Sequence, residues 1–347
     1  MPSDFHFELP FELIAQVPAE ARDQARLLVL ERRTGTLTHT RVDALPRHLQ
    51  PGDLLVVNDT RVVPARLFGR VASGGAVEVL LVRPTVAPHG DAPTWSCLGK
   101  PARRLRPNTT LRFPSGTEAT VVEAHGNGHY TVAFAPGTDV ATLLQQHGEI
   151  PLPPYIRRPD GPLPLDATRY QTIFAAAPGA IAAPTAGLHF TDTLLGALRH
   201  RGIEVAPLTL HVGPGTFLPV RTGDLRAHVM EPEWCDIPAA SADAIRVAKA
   251  AGRRIVAVGT TTTRALESAA LPGGTVQPGS RWADCFIVPG HSFRVIDALF
   301  TNFHLPGSTL LALVSAFAGS DAIRDAYAEA VRRRYRFYSY GDAMLIQ

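Results

Sequence analysis

Four short segments set histidines, threonines and an asparagine beside chain turns, where such side chains hold ligands or move protons. The densest is Ala183-Pro184-Thr185-Ala186-Gly187-Leu188-His189-Phe190-Thr191. Its histidine falls just before a helix start, where free N–H groups and the helix dipole favour an anion. The passage reads either as a ligand loop with His189 as acid, base or donor, or as a capping loop around a structural histidine. In His211-Val212-Gly213-Pro214-Gly215-Thr216-Phe217 the two glycines permit close backbone approach to a ligand, although a plain turn between strands accounts for them too. Gly259-Thr260-Thr261-Thr262-Thr263-Arg264 follows an apolar run and offers more hydroxyls than one helix cap requires. Thr301-Asn302-Phe303-His304-Leu305-Pro306 is the fourth. The tail from Arg332 to Asp342 interleaves arginines with Tyr335, Phe337, Tyr338 and Tyr340. It suits phosphates and bases, or simply a solvated helix end with its cations at the favourable terminus.

Other chemistries lack their signatures. No Gly-Lys-[Ser/Thr] P-loop, no Gly-x-Ser-x-Gly elbow and no His-Glu-x-x-His occur. Cys97, Cys235 and Cys285 are too dispersed for a disulfide scaffold or a zinc knuckle, so no metal site is expected. His125 and His129 flank a Gly-Asn-Gly turn and read as surface residues.

The elements that must position these segments fall into two kinds. From Leu54 to Phe134 short strands recur with turn signals between them, including Ser73-Gly74-Gly75 and Gly126-Asn127-Gly128, and predict a small antiparallel barrel or sandwich. A proline-rich passage, Pro151 to Pro164, reads as a semi-rigid connector. Beyond it, strands and helices alternate. Helices are expected over 192–201, 239–251, 262–270, 309–318 and 321–334, with Thr191 and Ser308 as caps, and strands over 205–210 and 254–258. Pro207 suggests an edge or a bulge in the first of these strands. The fold class expected is therefore α/β. Two domains suit 347 residues, and 45% hydrophobic with 19% charged residues excludes a largely disordered chain. The net charge of +3 is no signature of nucleic-acid binding. Only Lys100 and Lys249 are lysines among 34 basic residues; the arginine excess fits a GC-rich coding sequence as well as phosphate recognition. The longest near-apolar run, Leu310 to Ala318, is too short to span a membrane, and neither a basic region nor an apolar one marks a signal peptide. A cytoplasmic location is expected.

In this order the segments resemble the S-adenosylmethionine:tRNA ribosyltransferase-isomerase family of queuosine biosynthesis. The resemblance also rests on Phe7-Glu8-Leu9-Pro10, on Gly52-Asp53 through Asn58-Asp59-Thr60-Arg61-Val62, on Pro64-Ala65-Arg66-Leu67, and on Pro151-Leu152-Pro153-Pro154-Tyr155-Ile156. Arg169-Tyr170-Gln171-Thr172 and Tyr340-Gly341-Asp342-Ala343-Met344-Leu345 complete it. It implies an α/β-barrel-like main domain, residues 1–58 and 151–347, carrying an inserted small antiparallel β-barrel domain, residues 59–150. It implies that S-adenosylmethionine donates its ribosyl group to the aminomethyl-deazaguanine at the wobble position of tRNA, giving epoxyqueuosine with release of adenine and methionine. The donor is a consumed co-substrate, so no cofactor and no metal are implied; the partner is tRNA carrying the precursor base, and a monomer is expected.

Such a reaction needs a base near the ribosyl carbon acidified by the sulfonium, a proton donor for adenine and a deprotonated acceptor amine. His189, His211, His228 and His304 are the candidates, with Asp342 or Asp297 orienting them; which histidine does what stays open. Thr185, Gly187, Gly213, Gly215, Thr260, Thr261 and Asn302 are expected to hold substrate, and Arg61, Arg66, Arg264 and Arg336 to meet tRNA phosphates. The family usually reads His-x-Met-His-x-Glu, whereas this chain has His228-Val229-Met230-Glu231-Pro232-Glu233. Glu231 can bind a cation or accept a proton, but cannot donate one near pH 7 unless its pKa is raised. Ala25 stands where serine is common. A tRNA-independent transferase acting on a nucleoside or nucleotide, and a non-catalytic tRNA-binding protein, are the alternatives; activity without tRNA, or salt-sensitive tRNA binding without donor binding, would mark them.

Overall fold

A computed structural model describes residues 5–85, 92–114, 116–217 and 230–347. The main part is built on a nine-stranded sheet. Its order is Gly279–Ala283, Glu233–Ile237, Glu204–Leu210, Leu54–Asn58, Ile255–Val258, Ala298–Asn302, Ala343–Ile346, Arg26–Glu31 and Thr36–Arg41. The four strands from Glu204–Leu210 to Ala298–Asn302 run parallel. The central runs are buried along their whole length, which is why they read as continuous apolar sequence rather than as an alternation.

Alternation nevertheless decides which layer each residue joins. Leu54 and Val56 join one core with Leu28, Leu30 and Ala257, under helices Ala239–Ala250, Thr260–Ser268, Thr309–Ala318 and Ser320–Arg332. Leu55 and Val57 join the opposite core with Leu27, Val29 and Val256, against Leu194, Leu195 and Leu198 of helix Asp192–His200. Thr191 and Ser308 cap their helices by accepting from Leu194 N and Leu311 N at 3.1 and 3.2 Å. Pro207 lies where its strand pairs on one side only, because Glu233–Ile237 reaches no further than Thr209 and Leu210.

Six strands, Arg66–Val71, Ala76–Thr85, Thr94–Lys100, Thr110–Arg112, Glu118–Gly126 and His129–Phe134, close an antiparallel barrel. Its core is separate, and helix Val140–His147 contributes Val140, Leu143 and Leu144 to it. The barrel is inserted in the α/β part, and the chain leaving and returning is tied together: Arg66 and Glu149 exchange backbone hydrogen bonds of 3.1 and 2.9 Å. Gly148 makes that tie possible, since a Cβ there would come within 1.8 Å of the Pro64 carbonyl oxygen. Gly148→Ala is therefore expected to cost about 1–3 kcal/mol through backbone displacement, read as a fall in the chemical-denaturation midpoint. An unchanged midpoint would show that the junction yields freely.

Candidate functional site

The carboxyl ends of the parallel strands bring the polar segments together, the usual place for ligands in such sheets. Thr185, Thr260, Thr261, Asn302 and His304 line one cleft of 30 Å³, with Tyr155, Tyr338 and Ser339. The four consecutive threonines divide by helix geometry. The helix starts at Thr260, two residues before its expected start, and Thr262 and Thr263 turn their hydroxyls back on the carbonyls of Val258 and Gly259 at 2.7 and 3.1 Å. Thr260 and Thr261 are left on the cleft wall. Gly259 leads into the helix at φ 94°, a conformation that favours glycine.

His189 is buried and lines a neighbouring cleft with Arg22, Arg169 and Tyr340. Asn302 joins the two clefts: its Nδ2 lies 3.2 Å from His189 Nε2 and 3.1 Å from the Tyr338 carbonyl oxygen. Burial pulls the His189 pKa down to about 4, opposed by the nearby Asp342 carboxylate. Burial pulls His304 to about 3. Its Nε2 lies 3.1 Å from Thr301 Oγ1, and Tyr327 donates nothing to the ring but accepts from the His304 backbone N–H at 3.0 Å. His304 Nδ1 and Asn302 Oδ1 are buried with no protein hydrogen-bond partner. Buried polar atoms in this position take their partner from water or from a polar ligand.

Both rings are neutral at pH 7. In the unfolded chain they take protons near pH 6.5, so protonation favours unfolding. The stability contributed by the buried neutral rings is complete above pH 6.5 and is lost as pH falls toward about 4 for His189 and about 3 for His304. About 2–3 kcal/mol from each ring is expected to be gone by pH 4.5. Imidazole 15N shifts check this directly, since rings found charged at pH 5.5 in folded protein would contradict it.

A second, larger cavity of 1060 Å³ opens between the barrel and the main sheet. His211, Gly213, Gly215, Glu231 and Arg61 line it, and Val212 lines both this cavity and the threonine cleft. His211 is half-buried with its pKa lowered by burial; its Nδ1 lies 2.8 Å from Thr60 Oγ1 and its ring stacks on Trp234 at 4.9 Å. Gly179 closes on it: at φ 151° a Cβ would stand 2.6 Å from His211 Nε2. Gly179→Ala is expected to displace the ring and, by analogy with other misplaced groups, lower turnover about a hundredfold. Wild-type rates in that variant would remove His211 from the chemistry.

Several expected site residues lie elsewhere. Arg264 is not a phosphate ligand: it is buried, ion-paired with Glu233, and donates to the carbonyls of Cys285 and Ala283 at 3.2 and 3.3 Å. Asp297 sits at the opposite end of the sheet, where it accepts from Lys249 Nζ at 2.9 Å and Ile255 N at 2.8 Å. Asp342 makes no bond to a histidine ring; it accepts from Arg26 N and Nε and from Arg336 N, and acts on His189 only through its charge. Arg66 is held by Glu78 and the Leu152 carbonyl, and Arg336 by the Val17 carbonyl. Arg61, by contrast, stays on the wall of the large cavity, exposed and donating to the Ala175 carbonyl at 3.0 Å. Gly187 packs on Thr172 rather than lining a cleft. His228 lies outside the described residues.

The structure adds residues that sequence reading missed. Glu233 is buried and accepts from Gly213 N at 2.9 Å, fixing the glycine loop. His129, read as surface, lines the large cavity, 3.7 Å from the Glu231 carboxylate. Tyr155, Tyr338 and Ser339 wall the threonine cleft. Glu233, His129 and Tyr155 share no spacing signal, because they come from different parts of the chain, whereas Tyr338 and Ser339 are neighbours in the arginine- and tyrosine-rich tail.

Fold and site define an α/β enzyme whose ligand loops cluster at the carboxyl ends of parallel strands, beside a cleft closed by a barrel. The chain belongs to the queuosine biosynthesis proteins, whose family model matches residues 2–346. It is 53% identical over 344 residues to the S-adenosylmethionine:tRNA ribosyltransferase-isomerase of Geotalea uraniireducens, covering 99% of each chain. It is 52% identical over 346 residues to the protein of that name from Anaeromyxobacter dehalogenans, covering 99% of this chain and 98% of the other. Among solved structures, the S-adenosylmethionine tRNA ribosyltransferase of Thermotoga maritima is 37% identical with a TM-score of 0.56, over 99% of this chain and 100% of that one.

Proposed function

We propose that this chain is an S-adenosylmethionine:tRNA ribosyltransferase-isomerase: it moves the ribosyl group of S-adenosylmethionine to the aminomethyl-deazaguanine at the tRNA wobble position, isomerises it to epoxyqueuosine, and releases adenine and methionine. The observation that carries the reading is the family match over residues 2–346, with Thr185, Thr260, Thr261, Asn302 and His304 gathered at one cleft.

The chemistry follows from that cleft. The donor's methionine end has an ammonium that Asn302 Oδ1 and His304 Nδ1, the two orphaned acceptors, can receive. The sulfonium acidifies the adjoining ribosyl carbon, and a neutral imidazole such as His189 can take that proton at Nε2 once Asn302 Nδ2, which donates to it, gives up that bond. The imidazolium so formed has a depressed pKa and is a ready donor to the departing adenine. Asp342 lowers the cost of that transient charge.

The donor is consumed, so the reaction requires no cofactor. The chain works as a monomer in the cytoplasm, with residues 59–150 as the inserted domain; no helix among the described residues is long and apolar enough to cross a membrane. The test is a single-turnover assay with S-adenosylmethionine and tRNA bearing the precursor base, following adenine release and nucleoside mass. Stoichiometric adenine with epoxyqueuosine supports the reading, and shows that Glu231 is compatible with the chemistry. Donor binding without product, on verified tRNA, overturns it.

A further inference from the structure

The chain contains three tryptophans, and Trp95, Trp234 and Trp282 all line the 1060 Å³ cavity. Trp95 comes from the barrel; Trp234 and Trp282 are cross-strand neighbours in register on the main sheet. Trp234 is stacked on His211, whereas Trp282 is 49% exposed. The Arg83 guanidinium, from the barrel, lies 4.9 Å over the Trp282 ring. Exposing so much indole is unfavourable unless a flat partner covers it. An indole beside an arginine is how proteins hold a base taken out of its stack.

The same cavity carries a half-exposed charge of the opposite kind. The Glu231 side chain is 47% exposed, and His129 Nε2 stands 3.7 Å from its carboxylate. A primary ammonium is the natural partner for a carboxylate on an otherwise aromatic wall. Val212, shared with the threonine cleft, puts whatever occupies the cavity next to whatever occupies the cleft. With the donor's methionine end in the cleft, the aromatic end is left for the acceptor.

We infer, resting on the function proposed above, that the tryptophan-walled cavity is the subsite for the acceptor base, with Trp282 and Arg83 as its stacking face and Glu231 as the group that binds its aminomethyl ammonium. The donor's sulfonium is the competing cation, and the two are separable by experiment.

Two labelled anticodon stem-loops, one bearing the aminomethyl-deazaguanine and one bearing guanine, are titrated by anisotropy, and S-adenosylmethionine binding is measured calorimetrically. Trp282→Ala is expected to weaken both RNAs about tenfold, with Trp282→Phe restoring most of the affinity. Glu231→Gln is expected to erase the preference for the amine-bearing RNA and leave the guanine RNA unchanged. Donor affinity is expected to stay within about twofold in all three variants, as it should for residues outside the donor's site. Unchanged RNA affinities, or loss of donor binding in place of RNA binding, overturn the assignment. The two readings fail separately. If wild-type protein releases no adenine with the modified RNA, the proposed function itself fails. If it turns over while the variants bind RNA normally, only the subsite assignment fails.

Discussion

His189→Ala is expected to slow single-turnover adenine release by at least about a hundredfold while leaving donor affinity within a few fold. The ring touches no exposed surface and lies in the cleft that Asn302 connects to the threonine loops. Its low pKa leaves it unprotonated at pH 7, so it enters the reaction as the base and becomes an acid only after taking a proton. Removal therefore deletes the group that takes the ribosyl proton, but none of the groups that hold the methionine end. Deleting a buried ring also costs about 2–4 kcal/mol of stability, so the assay belongs at a temperature where circular dichroism shows the variant folded. Asn302→Ala separates positioning from proton transfer. It frees the ring and removes an orphaned acceptor, so it should lower turnover and weaken donor binding together. In wild-type protein the acid limb of the rate should lie near pH 4, because burial keeps the ring neutral down to that pH. A limb near pH 6.5 would place the base on an ordinary exposed histidine, and unchanged turnover in His189→Ala would remove this ring from the reaction.

Local pattern was a sound guide wherever local physics decides. The run at 254–258 became the buried strand Ile255–Val258, and the short strands from Arg66 to Phe134 closed the barrel, whereas Leu54–Asn58, read together with them, is a central strand of the main sheet. Ser308 and Thr191 cap as their side chains allow. The threonine helix begins two residues early, and two of its hydroxyls are spent on the preceding turn, which composition does not reveal. What a sequence hides is the meeting of distant elements. His129 beside Gly126-Asn127-Gly128 looks like any hairpin residue until the barrel is laid against the main sheet, opposite Glu231. The three tryptophans share no motif, and converge because a barrel strand and two strands at one end of the main sheet face one cavity. Arg264 follows four threonines in an expected ligand loop, so it resembled a phosphate ligand. One helical turn carries it into the core instead, onto Glu233.

Breaking that buried pair is costly. Glu233→Ala is expected to cost about 3–5 kcal/mol, because it strands the Arg264 guanidinium in the interior with only carbonyl partners. It also removes the acceptor of Gly213 N, so the glycine loop beside His211 loosens. The two losses have different readouts. Destabilisation appears in the denaturation midpoint, whereas the loosened loop appears as weaker turnover under conditions where the variant is still folded. Arg264→Met with Glu233→Leu should recover much of the stability, since an apolar pair fills the same space without a stranded charge. It cannot recover the Gly213 bond. If the double variant regains both stability and turnover, Glu233 serves the core alone. If it regains stability and stays slow, the carboxylate is what couples the core to the cavity wall. A single Glu233→Ala variant with a wild-type midpoint would mean that water reaches Arg264, and that the pair is not the interior anchor its burial implies.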